Sequence, residues 1–304
     1  MKLSVVGTLY DSTPYISEFV RRVRAEVQKL TSDYEIVLVD DGSQDDSLST
    51  ALREMAKEPR LKVIELSRNF GHHKAMMTGL EHTAGDLVFL IDVDLEEPPE
   101  LLGSFHEKLT KEGLDVVYGL QKSRKGGFWE RLLGSIAWKA LAVMLPTTIP
   151  ENHSTVRLMM RDYVQALVRH KEHKTAIGGL MVITGFRQAG IEFKKGCRAN
   201  TSYSFRHRLF ALLDSVTSFS EMPLYIVFYL GLIILFISAL IACLLVVRKL
   251  TGEVLSGWVS TLVSVWFLGG LAIFSIGVVG LYISRIFIET KERPYAIVRK
   301  IHGE

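Results

Sequence analysis

The sequence predicts an α/β fold, a Rossmann-like and mostly parallel sheet followed by two C-terminal apolar helices. Three observations predict it. Short apolar runs alternate with helical patterns through the first half, the signature of βαβ units. Polar clusters stand directly after several of those runs, where open α/β sheets bind ligands. The last quarter holds two long stretches without a charge.

Strands are expected at Leu3–Val6, Glu35–Val39, Leu61–Leu66, Leu87–Ile91 and Asp115–Tyr118, each apolar and short. Helices are expected near 14–30, 44–57, 72–83 and 99–112, where the apolar period lengthens. Ser43 is the expected N-cap of the second helix and Gly85 the stop signal of the third.

The chain has 304 residues, 48% hydrophobic and 23% charged, with a net charge of +3. That is too apolar for a disordered chain, and long enough for one large domain or two small ones. Two cysteines, Cys197 and Cys243, exclude a disulfide scaffold and a four-cysteine zinc site. No basic n-region with an apolar h-region opens the chain, so no secretory leader is expected. Charge divides along the length. Residues 1–121 hold 13 Lys and Arg against 22 Asp and Glu, whereas residues 122–208 hold 16 against 5. The basic part contains Trp129–Lys139, a mix of Trp, Leu and Arg/Lys that suits a helix lying in the headgroup plane. Interleaved aromatic and basic nucleic-acid motifs are missing, so no nucleic acid partner is expected.

Leu224–Val247 is a run of 24 residues without a charge, and Trp258–Ser284 one of 27. A spanning helix needs roughly 20. Tyr225, Tyr229, Trp258 and Tyr282 stand near the run ends, where amphipathic rings favour the interface. The loop 248–257 carries two Lys/Arg and the tail carries five, so the positive-inside rule places both flanks in the cytoplasm. The expected organisation is a cytosolic domain over 1–223, a transmembrane hairpin over 224–284 and a basic cytosolic tail over 285–304. The chain is thus expected in the plasma (inner) membrane as a multi-pass protein.

Three clusters carry the chemistry. Asp40-Asp41-Gly42-Ser43 follows the second strand; its carboxylates can accept from ribose hydroxyls or a base N–H, although Asp-Gly-Ser serves ordinary turns equally well. Asp92-Val93-Asp94 follows the fourth strand, with Glu96 within reach. Two carboxylates at a strand exit suit one hard cation, Mg²⁺ or Mn²⁺, which in turn neutralises a diphosphate. The third cluster is Arg68-Asn69-Phe70-Gly71-His72-His73-Lys74. Helix neighbours one apart point in different directions, so His72 and His73 are expected to position a nucleotide-binding loop and not to share a metal.

These motifs resemble family 2 glycosyltransferases of the GT-A fold, in the polyprenyl-phosphate branch that includes dolichyl-phosphate mannose synthase and bactoprenol glucosyltransferase. The resemblance is carried by Asp40–Ser43, Ser67–His72, Asp92–Leu95 with Pro98-Pro99-Glu100, Asp115–Gly119, Arg157–Met159, Gly185–Gln188 and Thr217–Ser220 with Pro223-Leu224. They run in family order over nearly the whole chain. There are departures. Glu96 stands where many members have Gln, and Ser154-Thr155-Val156 replaces Gly-Asp-Phe, which removes a carboxylate. Ala199–Tyr203 lacks the usual lysine, Gly7–Asp11 replaces a Pro-x-Tyr-Asn-Glu stretch, and Leu120-Gln121 stands for Val-Arg.

The resemblance implies inverting transfer of a sugar from a nucleotide diphosphate, UDP-linked in the first instance, to a polyprenyl phosphate at the cytoplasmic face. Asp94, Asp92 and Glu96 are then the metal ligands, and Asp40, Asp41, Arg68 and Asp92 the donor-binding set. Arg124, Arg131 and Ser135 are expected on the acceptor phosphate, because Arg pairs bidentately with phosphate and positions 131 and 135 share a helix face. Asp94, Asp92 and Arg131 form the expected catalytic group. A phosphate acceptor is already dianionic, so Thr155 is expected to position and no protein base to be needed, with Glu151 and His153 the nearest alternatives. Two other readings stand beside this one. A processive polysaccharide synthase would need more spans and a Gln-x-x-Arg-Trp signature, and a non-catalytic membrane scaffold is disfavoured by the intact Asp92/Asp94 pair. The oligomeric state is open, and a homo-oligomer is compatible with the sequence.

Overall fold

The structure is a computed structural model, and it describes residues 1–121, 153–171, 177–194, 222–250 and 257–303. They divide into two units, one built on a sheet and one helical.

The first unit starts with alternating strands and helices: β1 (Leu3–Leu9), α1 (Ile16–Leu30), β2 (Tyr34–Asp40), α2 (Ser47–Lys57), β3 (Leu61–Leu66), α3 (His72–Glu81), β4 (Leu87–Leu90), α4 (Leu101–Glu112) and β5 (Val116–Gln121). Then come β6 (His153–Met160), the short helices α5 (Arg161–Leu167) and α6 (Ile177–Ile183), and β7 (Gln188–Phe193). The C-terminal segment returns to this unit as β8 (Val298–His302). The eight strands form one sheet in the order β7-β5-β6-β4-β1-β2-β3-β8. β6 is antiparallel to β4 and β5, and β8 is antiparallel to β3; the remaining pairs are parallel. The expected α/β, mostly parallel layout is therefore present.

β1 and β2 are buried along their whole lengths. Helices cover both faces of such strands, which removes the polar alternation a half-exposed strand would show. The main core packs Phe19, Val23 and Val27 of α1 and Phe105 of α4 against Val5, Ile36, Phe89 and Val117 of the sheet. α3 covers the opposite face, on β1 and β2. It comes close because Gly79 has no side chain: a Cβ there would lie 2.5 Å from Val6 Cγ1 and 2.9 Å from Val39 Cγ2.

Several boundaries differ from expectation. β1 runs on through Gly7 and Thr8 to Leu9, since those residues keep their register with Leu38, Val39 and Asp40. Ser43 does not cap α2. The helix starts at Ser47, with Asp46 in the cap position, and the Ser43 hydroxyl turns back to donate to Asp40 Oδ1 at 2.5 Å. Gly85 does not end α3, which closes at Glu81; its N–H donates to Ser4 Oγ and ties the loop to β1. β6, β7 and β8 were not expected, because β6 carries a buried Arg157 and β8 reads Val-Arg-Lys-Ile-His. Charged residues are a common feature of edge strands.

The second unit contains α7 (Met222–Leu250) and α8 (Trp258–Glu289). Many of their described apolar side chains are exposed, among them Phe236 at 73%, Ile273 at 74% and Ile276 at 71%. Such a surface is unusual for a monomer in water. Both apolar runs contain a helix, whereas two membrane spans are expected and the described residues supply one of sufficient length. Among the described residues, one stretch, Phe267–Glu289, is long and apolar enough to cross a membrane, and the apolar stretch Pro223–Ile234 is shorter.

Candidate active site

The carboxyl ends of β1, β2 and β4 converge with the start of α3, and the sheet changes direction there, from β1 toward β2 on one side and β4 on the other. Asp40 and Asp41 leave β2 almost fully buried. Asp40 accepts from the Ser43 hydroxyl and backbone. Asp41 accepts from the N–H groups of Phe70 and Gly71 at 2.7 and 2.9 Å, clasping the loop between β3 and α3. Burial raises both carboxyls above their usual range in spite of these bonds. Gly42 has φ +69°, and a Cβ there would lie 2.5 Å from the Arg68 carbonyl carbon, so the two loops meet backbone to backbone. Arg68 is exposed, its guanidinium 4.2 Å from the centre of the Phe70 ring.

Asp92 lies just beyond β4, where Thr155 of β6 donates to its Oδ2 at 3.2 Å. His72 Nε2 lies 3.3 Å from its Oδ1, and His72 Nδ1 is 3.0 Å from Thr8 Oγ1. Burial works against the imidazolium, yet the contact with Asp92 and the charges of Asp92, Asp94 and Asp41 outweigh it and raise the His72 pKa. His72 and His73 are adjacent but their ring centroids are 6.0 Å apart and tilted, as helix neighbours should be. Asp94 Oδ1 accepts the Glu96 N–H at 3.1 Å, and Leu95 between them has φ +58°. Left-handed backbone at a residue with a branched side chain costs of order 1–3 kcal/mol and is typical of functional loops.

Among the described residues no group of three metal-binding side chains is found. The donors nonetheless fit Mg²⁺ or Mn²⁺. Such ions use one or two carboxylates and leave their other positions to water and substrate phosphate.

Behind Thr155 sits a network that the sequence did not reveal. Arg157 is buried and donates to the carbonyls of Thr155 and Ser154, both on its own strand. Burial lowers its pKa, against the influence of Tyr163, Tyr118 and Glu97 nearby. Ser154 donates to the buried Glu97, which joins β6 to the loop after Asp94. Arg157 also borders a cavity of about 190 Å³ with Tyr118, His153, Phe186 and Gln188. The sequence signals for this network were the motifs Asp115–Gly119 and Ser154–Met159, which mark its residues but not their contacts. Arg124, Arg131, Ser135 and Glu151 lie outside the described residues, as do Trp129–Lys139, Ala199–Tyr203 and Thr217–Ser220.

Residues 4–168, more than half the chain, match the family model described as Glycosyl transferase family 2. This chain belongs to glycosyltransferase family 2. A Mycobacterium tuberculosis protein named as a glycosyltransferase is 50% identical to this family member over 304 residues, all of this chain and 89% of its own length. The bactoprenol glucosyl transferase of Shigella phage SfII is 33% identical over 306 residues, 99% of each chain. Among solved structures, mannosyl-3-phosphoglycerate synthase from Rubrobacter xylanophilus is 16% identical. It overlaps 71% of the transferase and 72% of its own chain at a TM-score of 0.49, too distant to carry an argument about function.

Proposed function

We propose that this glycosyltransferase moves a sugar from a nucleotide diphosphate, UDP-linked in the first instance, to a polyprenyl phosphate, with inversion, at the cytoplasmic face of the plasma (inner) membrane. The observation that carries the reading is the Asp92/Asp94 pair at the exit of β4, beside the loop clasped by Asp41. The bactoprenol glucosyl transferase relative, matched over 99% of both chains, supports the acceptor class. The exposed apolar surfaces of α7 and α8 support an anchor of two helices that keeps the lipid tail out of water.

Bound Mg²⁺ or Mn²⁺ would supply positive charge to the departing diphosphate, with Asp94 and Asp92 as its protein ligands. Asp40 and Asp41 shape the nucleoside side of the site through the loops they hold, and Arg68 stands exposed at its rim. Arg124, Arg131 and Ser135 receive the acceptor phosphate. A phosphate monoester is largely dianionic at pH 7, so its oxygen attacks without a protein base, and attack opposite the leaving group inverts the anomeric carbon. Thr155 serves this step through its bond to Asp92.

The test is purified full-length protein in detergent, given polyprenyl phosphate, Mn²⁺ and a panel of nucleotide sugars, with products read by mass. One donor should yield a glycosyl phospholipid. Donor hydrolysis alone, or a polymer, would contradict the reading.

A further inference from the structure

The mouth of the sheet holds one contact that the reaction scheme leaves unused. His72 is the first residue of α3, and every residue from Ala75 to Leu80 of that helix is buried. Its backbone is therefore fixed by packing, and Gly79 seats the helix directly on Val6 and Val39. Its ring is held at both nitrogens, 3.0 Å from Thr8 Oγ1 and 3.3 Å from Asp92 Oδ1. Thr155 holds the other oxygen of the same carboxylate. A hydroxyl both donates and accepts. Thr8 can therefore serve the ring in either charge state, while Nε2 lies 3.3 Å from Asp92 Oδ1.

We propose that His72 is a positioning residue of the metal site: braced by Thr8, it fixes the carboxylate of Asp92 for a divalent cation. This rests on the reading that Asp92 and Asp94 take that cation. Asp92 lies beyond the last paired residue of β4, in a loop, so the groups beside its two oxygens bear on how its carboxylate is aimed. An ion that demands near-ideal octahedral geometry gains from ligands already fixed. Partners that orient a ligand in this way typically change metal affinity 10- to 100-fold when removed. His73, on the neighbouring helix position, has its ring centroid 6.0 Å from that of His72.

The experiment measures Mn²⁺ binding directly, by electron paramagnetic resonance of the free ion, on full-length protein in detergent without donor or acceptor. His72→Ala should raise the Mn²⁺ dissociation constant about 10- to 100-fold. His72→Gln, whose amide nitrogen can replace Nε2, should restore it to within a few-fold, and Thr8→Val should shift it in the same direction by less. UDP affinity in EDTA should not change, which separates positioning of Asp92 from a direct contact with the diphosphate. Unchanged Mn²⁺ affinity in His72→Ala and Thr8→Val, or a UDP affinity that falls in EDTA, overturns the proposal. Asp94→Asn is the control: if it too leaves Mn²⁺ binding intact, the metal reading itself is wrong and the role of His72 falls with it. If Asp94→Asn loses the metal and His72→Ala does not, only the positioning role fails.

Discussion

Of the two proposed metal ligands, Asp94 is expected to matter most through its charge. Asp94→Asn keeps the size and the bond from Glu96 N–H but removes the full charge. It should lower turnover about 100-fold or more while the circular dichroism spectrum stays the same, a loss on the scale of other groups that stabilise developing charge. Near-normal turnover at saturating Mg²⁺ would remove Asp94 from the metal site. Arg131→Ala is expected to raise KM for the polyprenyl phosphate and not for the donor. A lost charge-assisted bond costs about 1.5–3 kcal/mol, or roughly 10- to 150-fold. A rise in donor KM alone would assign Arg131 to the other substrate. The proposed mechanism without a protein base makes a third expectation at this scale. The pH–rate profile should rise through a single ionisation near about 6, that of the acceptor itself, and then level off. His153→Ala should leave kcat within about tenfold, where loss of a true general base costs about 10²–10⁴-fold.

At the scale of single elements, much was legible and the rest was hidden for a physical reason. β3 was read at its observed bounds and α3 within two residues, because local periodicity decides such segments. The place of Asp92 and Asp94 just past a strand was legible because a buried apolar run precedes them. The contacts His72–Asp92, Thr155–Asp92 and Ser154–Glu97 join residues 20, 63 and 57 positions apart, and no local pattern encodes them. β8 lies 232 or more positions from the strand it pairs with, and its charges resemble a tail: Arg299 bonds Glu65 and the Ser67 carbonyl, just before the loop clasped by Asp41. Glu35 in β2 offers a test of how the sheet is held. Its buried carboxylate accepts from Ser4 Oγ and Ala84 N–H at 2.6 Å each, with Lys2 and Lys62 Nζ at 3.6 Å. Burial pushes its pKa up, but these donors and charges more than offset that and leave it below the usual value. A carboxyl depressed in the fold stabilises it above the unfolded pKa, near about 4.3, and that contribution is lost as pH falls through the folded value. Glu35→Gln should therefore cost about 1.5–3 kcal/mol in denaturant unfolding at pH 7. The gap between variant and wild type should close below about pH 4. An equal gap at pH 7 and pH 3 would show that the charge contributes nothing.

On the scale of the whole molecule, the proposed reaction needs both a nucleotide-sugar site at the mouth of the sheet and an apolar helical unit that suits a lipid. The charge division along the sequence belongs to the same picture, with acidic residues concentrated in the first 121 positions and basic ones in the 87 that follow. The proposed acceptor is a phosphate at the end of a polyprenyl chain. That proposal is tested most directly by giving the full-length protein a labelled nucleotide sugar and Mn²⁺ with either polyprenyl phosphate or the matching polyprenol. Label should enter the organic phase with the phosphate and stay in the aqueous phase with the alcohol. Equal transfer to both lipids, or to neither while the donor is consumed, would contradict it.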